Sequence, residues 1–135
     1  MTALLDQLKD IVGPKGWTVD PAEMEPHLHD WRGAYAGLAA IVVKPASTEQ
    51  VVAVVKACAA AGVAIVPQGG NTSLCGAATP DTSGDQVILS LSRMNQVNNT
   101  SIMLIGHDLT TITQWANRIT VMYCGQSVES ADTQK

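Results

Sequence analysis

The sequence contains no phenylalanine, and its aromatic residues together amount to 4% of 135 positions. Any core must therefore be built from Val, Ile, Leu, Ala and Met. Charge is sparse too, at 15%, and its formal balance is −4. That acidic balance, with an isoelectric point near 5.1, speaks against nucleic acid or an anionic membrane surface as partner. The basic residues Lys9, Lys15, Arg32, Lys44, Lys56, Arg93, Arg118 and Lys135 are scattered and form no basic run. No apolar stretch approaches the ~18 residues that would span a bilayer. The opening MTALLDQLKDIVGPKG lacks a basic region followed by a long apolar core, so no secretory leader is expected. Cysteine is limited to Cys58, Cys75 and Cys124, odd in number and without a CxxC. That pattern fits free thiols in a reducing compartment better than a disulfide framework. These absences together predict a soluble cytoplasmic protein.

What is present is the composition of a globular chain, 46% hydrophobic. Leu4, Leu5, Leu8, Ile11 and Val12 recur at helical spacing, with Thr2 as an N-cap and Gly13-Pro14 as a stop. Residues 17–40 carry Pro21, Pro26, Gly33 and Gly37 without a clean period and read as an irregular arm. From residue 41 the pattern sharpens. IVVK is a short buried strand ended by Pro45. Ser47 and Gln50 form a capping-box pair ahead of Val51, Val52, Val54, Val55 and Cys58, and Gly62 ends that helix. VAIV at 63–66 is the next strand, so strand, helix and strand make a βαβ unit with parallel strands. A long loop, 67–85, leads to the strand QVILSL at 86–91. A second unit follows: strand SIMLIG at 101–106, a helix from Asp108 with the stripe Leu109, Ile112, Trp115, Ala116 and Ile119, and strand ITVMYC. Gly125-Gln126 then reads as a tight hairpin turn before SVES. The predicted fold is α/β, two βαβ units sharing one mostly parallel sheet and ending in a hairpin.

The stretch VPQGGNTSLCG, residues 66–76, is the chemically informative one. Adjacent glycines, an asparagine and two hydroxyls after an apolar strand can turn several backbone N–H groups toward an anion. By itself such a loop is a weak signal, equally met by a solvated connection. The run His27, His29, Asp30 suggests metal, but spacing supplies no third ligand, and no metal site is expected. Cys75 has no base placed beside it and reads as a small packing residue.

The segments DWRGAYAG, VVKPASTEQVVAVVKACAAAGVAIVPQGGNTSL, GAATPDTSG and VILSLSRMNQV, in that order, resemble the start of the FAD-linked D-2-hydroxy acid dehydrogenases. The resemblance spans residues 1–97. It implies a truncated first FAD-binding lobe whose pyrophosphate loop is Pro67, Gln68, Gly69, Gly70, Asn71, Thr72 and Ser73. Gly76, Ala77, Thr79 and Pro80 would close round the flavin. Ala77 stands where that family more often has a second glycine. Residues 98–135 carry NNTSIMLIGHDLTTITQWANRITVMYCGQSVES, which resembles the ATPase subunits of ABC peptide importers. By that likeness His107 is the switch histidine of a nucleotide site. No GxxxxGK[ST] loop, signature motif or acidic Walker B strand accompanies it.

The two likenesses meet in LSRMNQVNNT, which fits both families. The chain is therefore expected to be a chimera of two fragments folding as one unit, with no catalytic residues and no cofactor. The alternative is a fragment of an FAD-dependent D-2-hydroxy acid oxidoreductase that retains FAD. The exposed edge of a truncated sheet predicts self-association, as a dimer or by strand exchange.

Overall fold

A computed structural model describes residues 1–71, 75–94, 116, 118–123 and 126–133. The chain divides into two compact units, Met1–Ile102 and Met103–Lys135. No helix among the described residues is long and apolar enough to cross a membrane.

Helix α1 spans Thr2–Val12 and buries Leu4, Leu8 and Val12, three of the five apolar residues that recur at helical spacing in the sequence. Thr2 is its first helical residue, and the position before it is Met1, which supplies no side-chain cap. Gly13 ends the helix at φ 71, a backbone angle that side chains with a Cβ resist. Two elements then appear where an irregular arm was expected: strand β1, Trp17–Thr18, and helix α2, Pro21–Leu28. The Asp20 carboxylate accepts the N–H groups of Ala22 and Glu23 at 2.8 and 3.2 Å, and Pro21 occupies the first helical position, which needs no N–H. Pro26 lies inside this helix, where it removes one backbone bond and obscures the helical pattern.

Strand β2 is Ile41–Val43 and helix α3 is Thr48–Ala61. The expected capping pair is present. Ser47 Oγ accepts the Gln50 N–H at 3.3 Å, while Gln50 Oε1 accepts the N–H of Ala46 at 2.7 Å. At the other end Gly62 is left-handed, φ 67 and ψ 25. Its N–H reaches the Ala59 carbonyl at 3.2 Å and the Val63 N–H reaches Cys58 at 3.0 Å, the two bonds of a Schellman cap. Strand β3 is Ile65–Gln68 and β4 is Val87–Ser90.

These strands form a four-stranded sheet in the order β1-β2-β4-β3. The βαβ strands β2 and β3 are parallel, but β4 lies between them, parallel to both. β1 adds an antiparallel edge. Side chains alternate across the sheet, as strand geometry requires. Ile41, Val43, Val87 and Leu89 face α1 and α3 in one cluster, while Val42, Val66 and Ile88 meet Met24 of α2 in the other. Apolar residues on both faces are the mark of a parallel sheet covered on both sides.

In the second unit, β5 (Arg118–Tyr123) and β6 (Gln126–Asp132) form an antiparallel hairpin. They make a two-stranded sheet of their own, so among the described residues the sheet expected to run through both units is two sheets. Ile119, expected both at the end of the helical stripe and at the start of the strand ITVMYC, belongs to β5, and Gln126, expected in the turn, belongs to β6. Thr120 and Ser130 are directly paired across the strands, and their hydroxyls meet at 3.1 Å, a cross-strand pair of the kind that stabilises a sheet. The expected strand 101–106 and the helix from Asp108 through Trp115 lie outside the described residues.

Candidate functional site

The glycine loop leaves the sheet at the carboxyl end of β3, the end where open α/β sheets bind ligands. Its first two expected residues are still strand. Pro67 is exposed and has no N–H to offer an anion. Gln68 is 1% exposed, and both N–H groups and the oxygen of its amide are engaged inside the protein. Gln68 Nε2 donates to the carbonyls of His27 and Ala78, each at 2.7 Å. Its Oε1 lies 2.7 Å from His27 Nδ1, which must therefore be the donor. The Gln68 side chain is a brace between α2 and the loop, not a hand held out to a ligand.

Asn71 repeats the arrangement. It adopts φ 52, a left-handed angle that Asn tolerates better than other non-glycine residues. Its Nδ2 donates to the carbonyls of Pro26 and His29 at 3.2 and 3.0 Å. The carbonyls at the end of α2, which a helix leaves without partners, are thus taken up by the loop. The Leu28 carbonyl goes to the Gly37 N–H at 2.9 Å.

Gly69 is exposed and Gly70 half-buried, while Thr72 and Ser73 lie outside the described residues. Gly76 has φ 72, and a Cβ there would lie 2.8 Å from the Tyr35 ring. Ala77 is exposed, Thr79 half-buried and Pro80 buried. Asn71 Oδ1 and Thr79 Oγ1 are buried atoms without a hydrogen-bond partner among the described residues. His107 lies outside the described residues. Cys75, expected to pack, is exposed instead. Cys58 is the buried thiol, and desolvation pushes its pKa up.

The arm residues expected as a weak metal motif have other work. His27 is tied to Gln68, and His29 Nε2 stands 3.6 Å from Glu25 Oε1 on the surface. Asp30 is 1% exposed, and its Oδ1 accepts the Tyr35 N–H at 2.8 Å. That backbone bond, with further N–H groups of Arg32 and Ala34 and the Arg32 charge, outweighs desolvation and holds the Asp30 carboxyl below the usual range. Asp30 and Tyr35 were legible only as part of DWRGAYAG. Nothing in their spacing announces that they meet. A shallow cleft bordered by 62–64, Asp81, Ser83, Asp85 and Gln86 includes none of the expected cofactor residues.

This loop-and-sheet arrangement has relatives. Residues 39–105 match the family described as FAD binding domain. That segment is similar to FAD-binding domains. Mitochondrial D-2-hydroxyglutarate dehydrogenase of Bos taurus is 38% identical over 78 residues, covering 58% of this chain and 14% of that protein. A solved alkyldihydroxyacetonephosphate synthase superposes with a TM-score of 0.62 at 24% identity, over 70% of this chain and 21% of that one, which establishes the fold. A different segment matches the peptide transport system ATP-binding protein SapD of Escherichia coli, 48% identical over 54 residues, or 40% of this chain and 16% of that protein. The chain thus resembles FAD-linked D-2-hydroxy acid dehydrogenases in one segment and ABC peptide-importer ATPases in another. It spans at most 18% of the length of the curated relatives cited.

Proposed function

We propose that the chain is a non-catalytic chimera: a first FAD-binding half-lobe joined to a peptide-importer ATPase tail, without a complete active site for either parent chemistry. The observation that carries this reading is the bracing of the loop. Gln68 donates its amide N–H groups to His27 at the end of α2 and to Ala78 across the loop, and Asn71 donates its own to Pro26 and His29, so both side chains serve to tie the loop to α2 and are not free for a ligand. The Thr79 hydroxyl, buried and without a partner among the described residues, can donate to a phosphate oxygen. Asn71 Oδ1 suits an amino or hydroxyl donor of a nucleotide instead.

The Thr79 hydroxyl fits the pyrophosphate portion of FAD, and Asn71 Oδ1 a donor elsewhere on that ligand. FAD, when bound, would supply a hydride acceptor. A ring pocket normally buries most of its ligand, and one loop covers little of a dinucleotide, so affinity should be slight. The match to the FAD binding domain favours a second reading, in which the chain is a fragment of an FAD-dependent D-2-hydroxy acid oxidoreductase that keeps its flavin.

The two readings part in a simple assay. The purified chain is given excess FAD, an artificial electron acceptor, and glycolate, D-lactate or D-2-hydroxyglutarate. Acceptor reduction at the rate of a protein-free control supports the first reading, and turnover proportional to protein concentration overturns it.

A further inference from the structure

An unpaired strand edge is a template for another chain, and folded proteins block such edges in recognisable ways. The four-stranded sheet is blocked on both sides. β1, its first edge, is only two residues long. At the β3 edge, the Val87 N–H reaches the Ala64 carbonyl and the Leu91 N–H reaches the Gln68 carbonyl. Alternate residues of a strand turn their backbone groups to opposite sides, so Ile65 and Pro67 face the open side of β3. Pro67 has no N–H to offer there, and a proline on a free edge denies a partner strand one of its bonds.

The two edges of the hairpin differ from each other. No third strand joins it among the described residues. On β6, Ser127 and Glu129 pair with the adjacent residues Met122 and Val121, which leaves Val128 as a bulge. That bulge, with the carboxylates of Glu129 and Asp132, spoils the β6 edge for regular pairing. β5 carries no proline, glycine or acidic residue, and its one charge is Arg118 at its start. Its Ile, Thr, Val and Tyr favour extended chain.

The polar side of β5 is satisfied within the hairpin. Arg118 Nε donates to Ser130 Oγ at 3.1 Å, and the Thr120 hydroxyl meets the same atom. The other side carries Ile119, Val121 and Tyr123 by alternation, with Val121 37% and Tyr123 73% exposed. A two-stranded hairpin is marginal in water until further strands widen its apolar face.

We propose that β5 is a dimerisation edge, pairing antiparallel with β5 of a second copy to give a four-stranded sheet β6-β5-β5-β6. The contact is isologous, and it closes as a dimer because β6 is unfit to extend the sheet. Directly opposite residues of an antiparallel pair share a face, so the two-fold axis passes through a residue position. An axis at Thr120 sets Thr120 opposite its own copy and Ile119 opposite Val121 of the partner subunit, twice over. The two Arg118 charges then stand at opposite ends of the contact.

Sedimentation equilibrium of the full-length chain, with the variants Thr120→Lys and Thr120→Glu, tests this. The parent should weigh twice its chain mass of 14.2 kDa. Like charges directly opposite destabilise a cross-strand pair, and opposite charges support it. Each variant alone should therefore fall to the mass of one chain, and an equimolar mixture of the two should return to the mass of two. A variant that had merely lost its fold would not be rescued by mixing, so recovery reports pairing at residue 120. A parent with the mass of one chain overturns the proposal. A Thr120→Lys variant that stays dimeric, or a mixture that stays monomeric, overturns it as well.

Discussion

Replacing Gln68 by leucine tests whether the loop frame is built as described. The two side chains are similar in volume, so the sheet and the Val42–Val66–Ile88 layer need not rearrange. What disappears is a set of three hydrogen bonds, to the carbonyls of His27 and Ala78 and from His27 Nδ1. The side chain they surround is fully buried, so water cannot simply replace it. Leaving a buried polar group unsatisfied costs about 1–3 kcal/mol. Two stranded carbonyls therefore cost about 2–6 kcal/mol, offset by about 1 kcal/mol from the better transfer of leucine. A net loss of about 1–5 kcal/mol is a large share of the 5–15 kcal/mol typical of a domain. Urea unfolding followed by circular dichroism measures it, with the midpoint falling at unchanged slope if the native fold is kept. Gln68→Glu is the informative companion, because a carboxylate still accepts from His27 but cannot donate to either carbonyl. A Gln68→Leu variant as stable as the parent would refute the idea that this amide braces α2 against the loop.

Three further outcomes follow from the same geometry. Gly37→Ala would drive a methyl group onto the Pro80 carbonyl oxygen and within 2.5 Å of that of Asp81, backbone that cannot rotate away. It should lower the melting temperature sharply, whereas Gly84→Ala, whose Cβ meets only ordinary contact at 3.7 Å, suffers only the strain of its φ. Asp30 titrates lower folded than unfolded because the Tyr35 N–H stabilises its charge. Its contribution is therefore complete above the unfolded carboxyl pKa of about 3.9 and is lost as pH falls through the lower folded value. The gap in melting temperature between the parent and Asp30→Asn should stay constant from neutral pH into the weakly acid range and close only in strong acid. A gap that closed near neutrality would point to a different group. Finally, the chain should release no phosphate from ATP above a buffer blank, since His107 has no phosphate loop in the sequence to work with. Hydrolysis lost in His107→Ala would contradict that.

The sheet was readable because its signals are local. IVV and VIL are short apolar runs, and Ser47, Gln50 and Gly62 mark the ends of α3 by chemistry that acts within one turn. The order of the strands was not readable, since nothing local tells β4 to enter between β2 and β3. Helix α2 was hidden by Pro26, although Asp20-Pro21 carried a valid start signal. At the site, the glycines and Asn71 announced an unusual backbone, and Asn71 does adopt a left-handed angle. The direction of Gln68 and Asn71 was missed. Both were expected in the cofactor loop, and both turn their amides back to α2, a partner more than forty residues away in sequence. Tyr35 against Gly76 is the same kind of long-range contact, and no periodicity records it.

The central claim is that a half-lobe frames the pyrophosphate loop without retaining a working flavin. It is tested most directly by the flavin content of the full-length chain after expression in a flavin-replete host and gel filtration. The account predicts a colourless protein, with flavin absorption far below one equivalent per chain. A yellow protein carrying close to one flavin per chain through the column would contradict it.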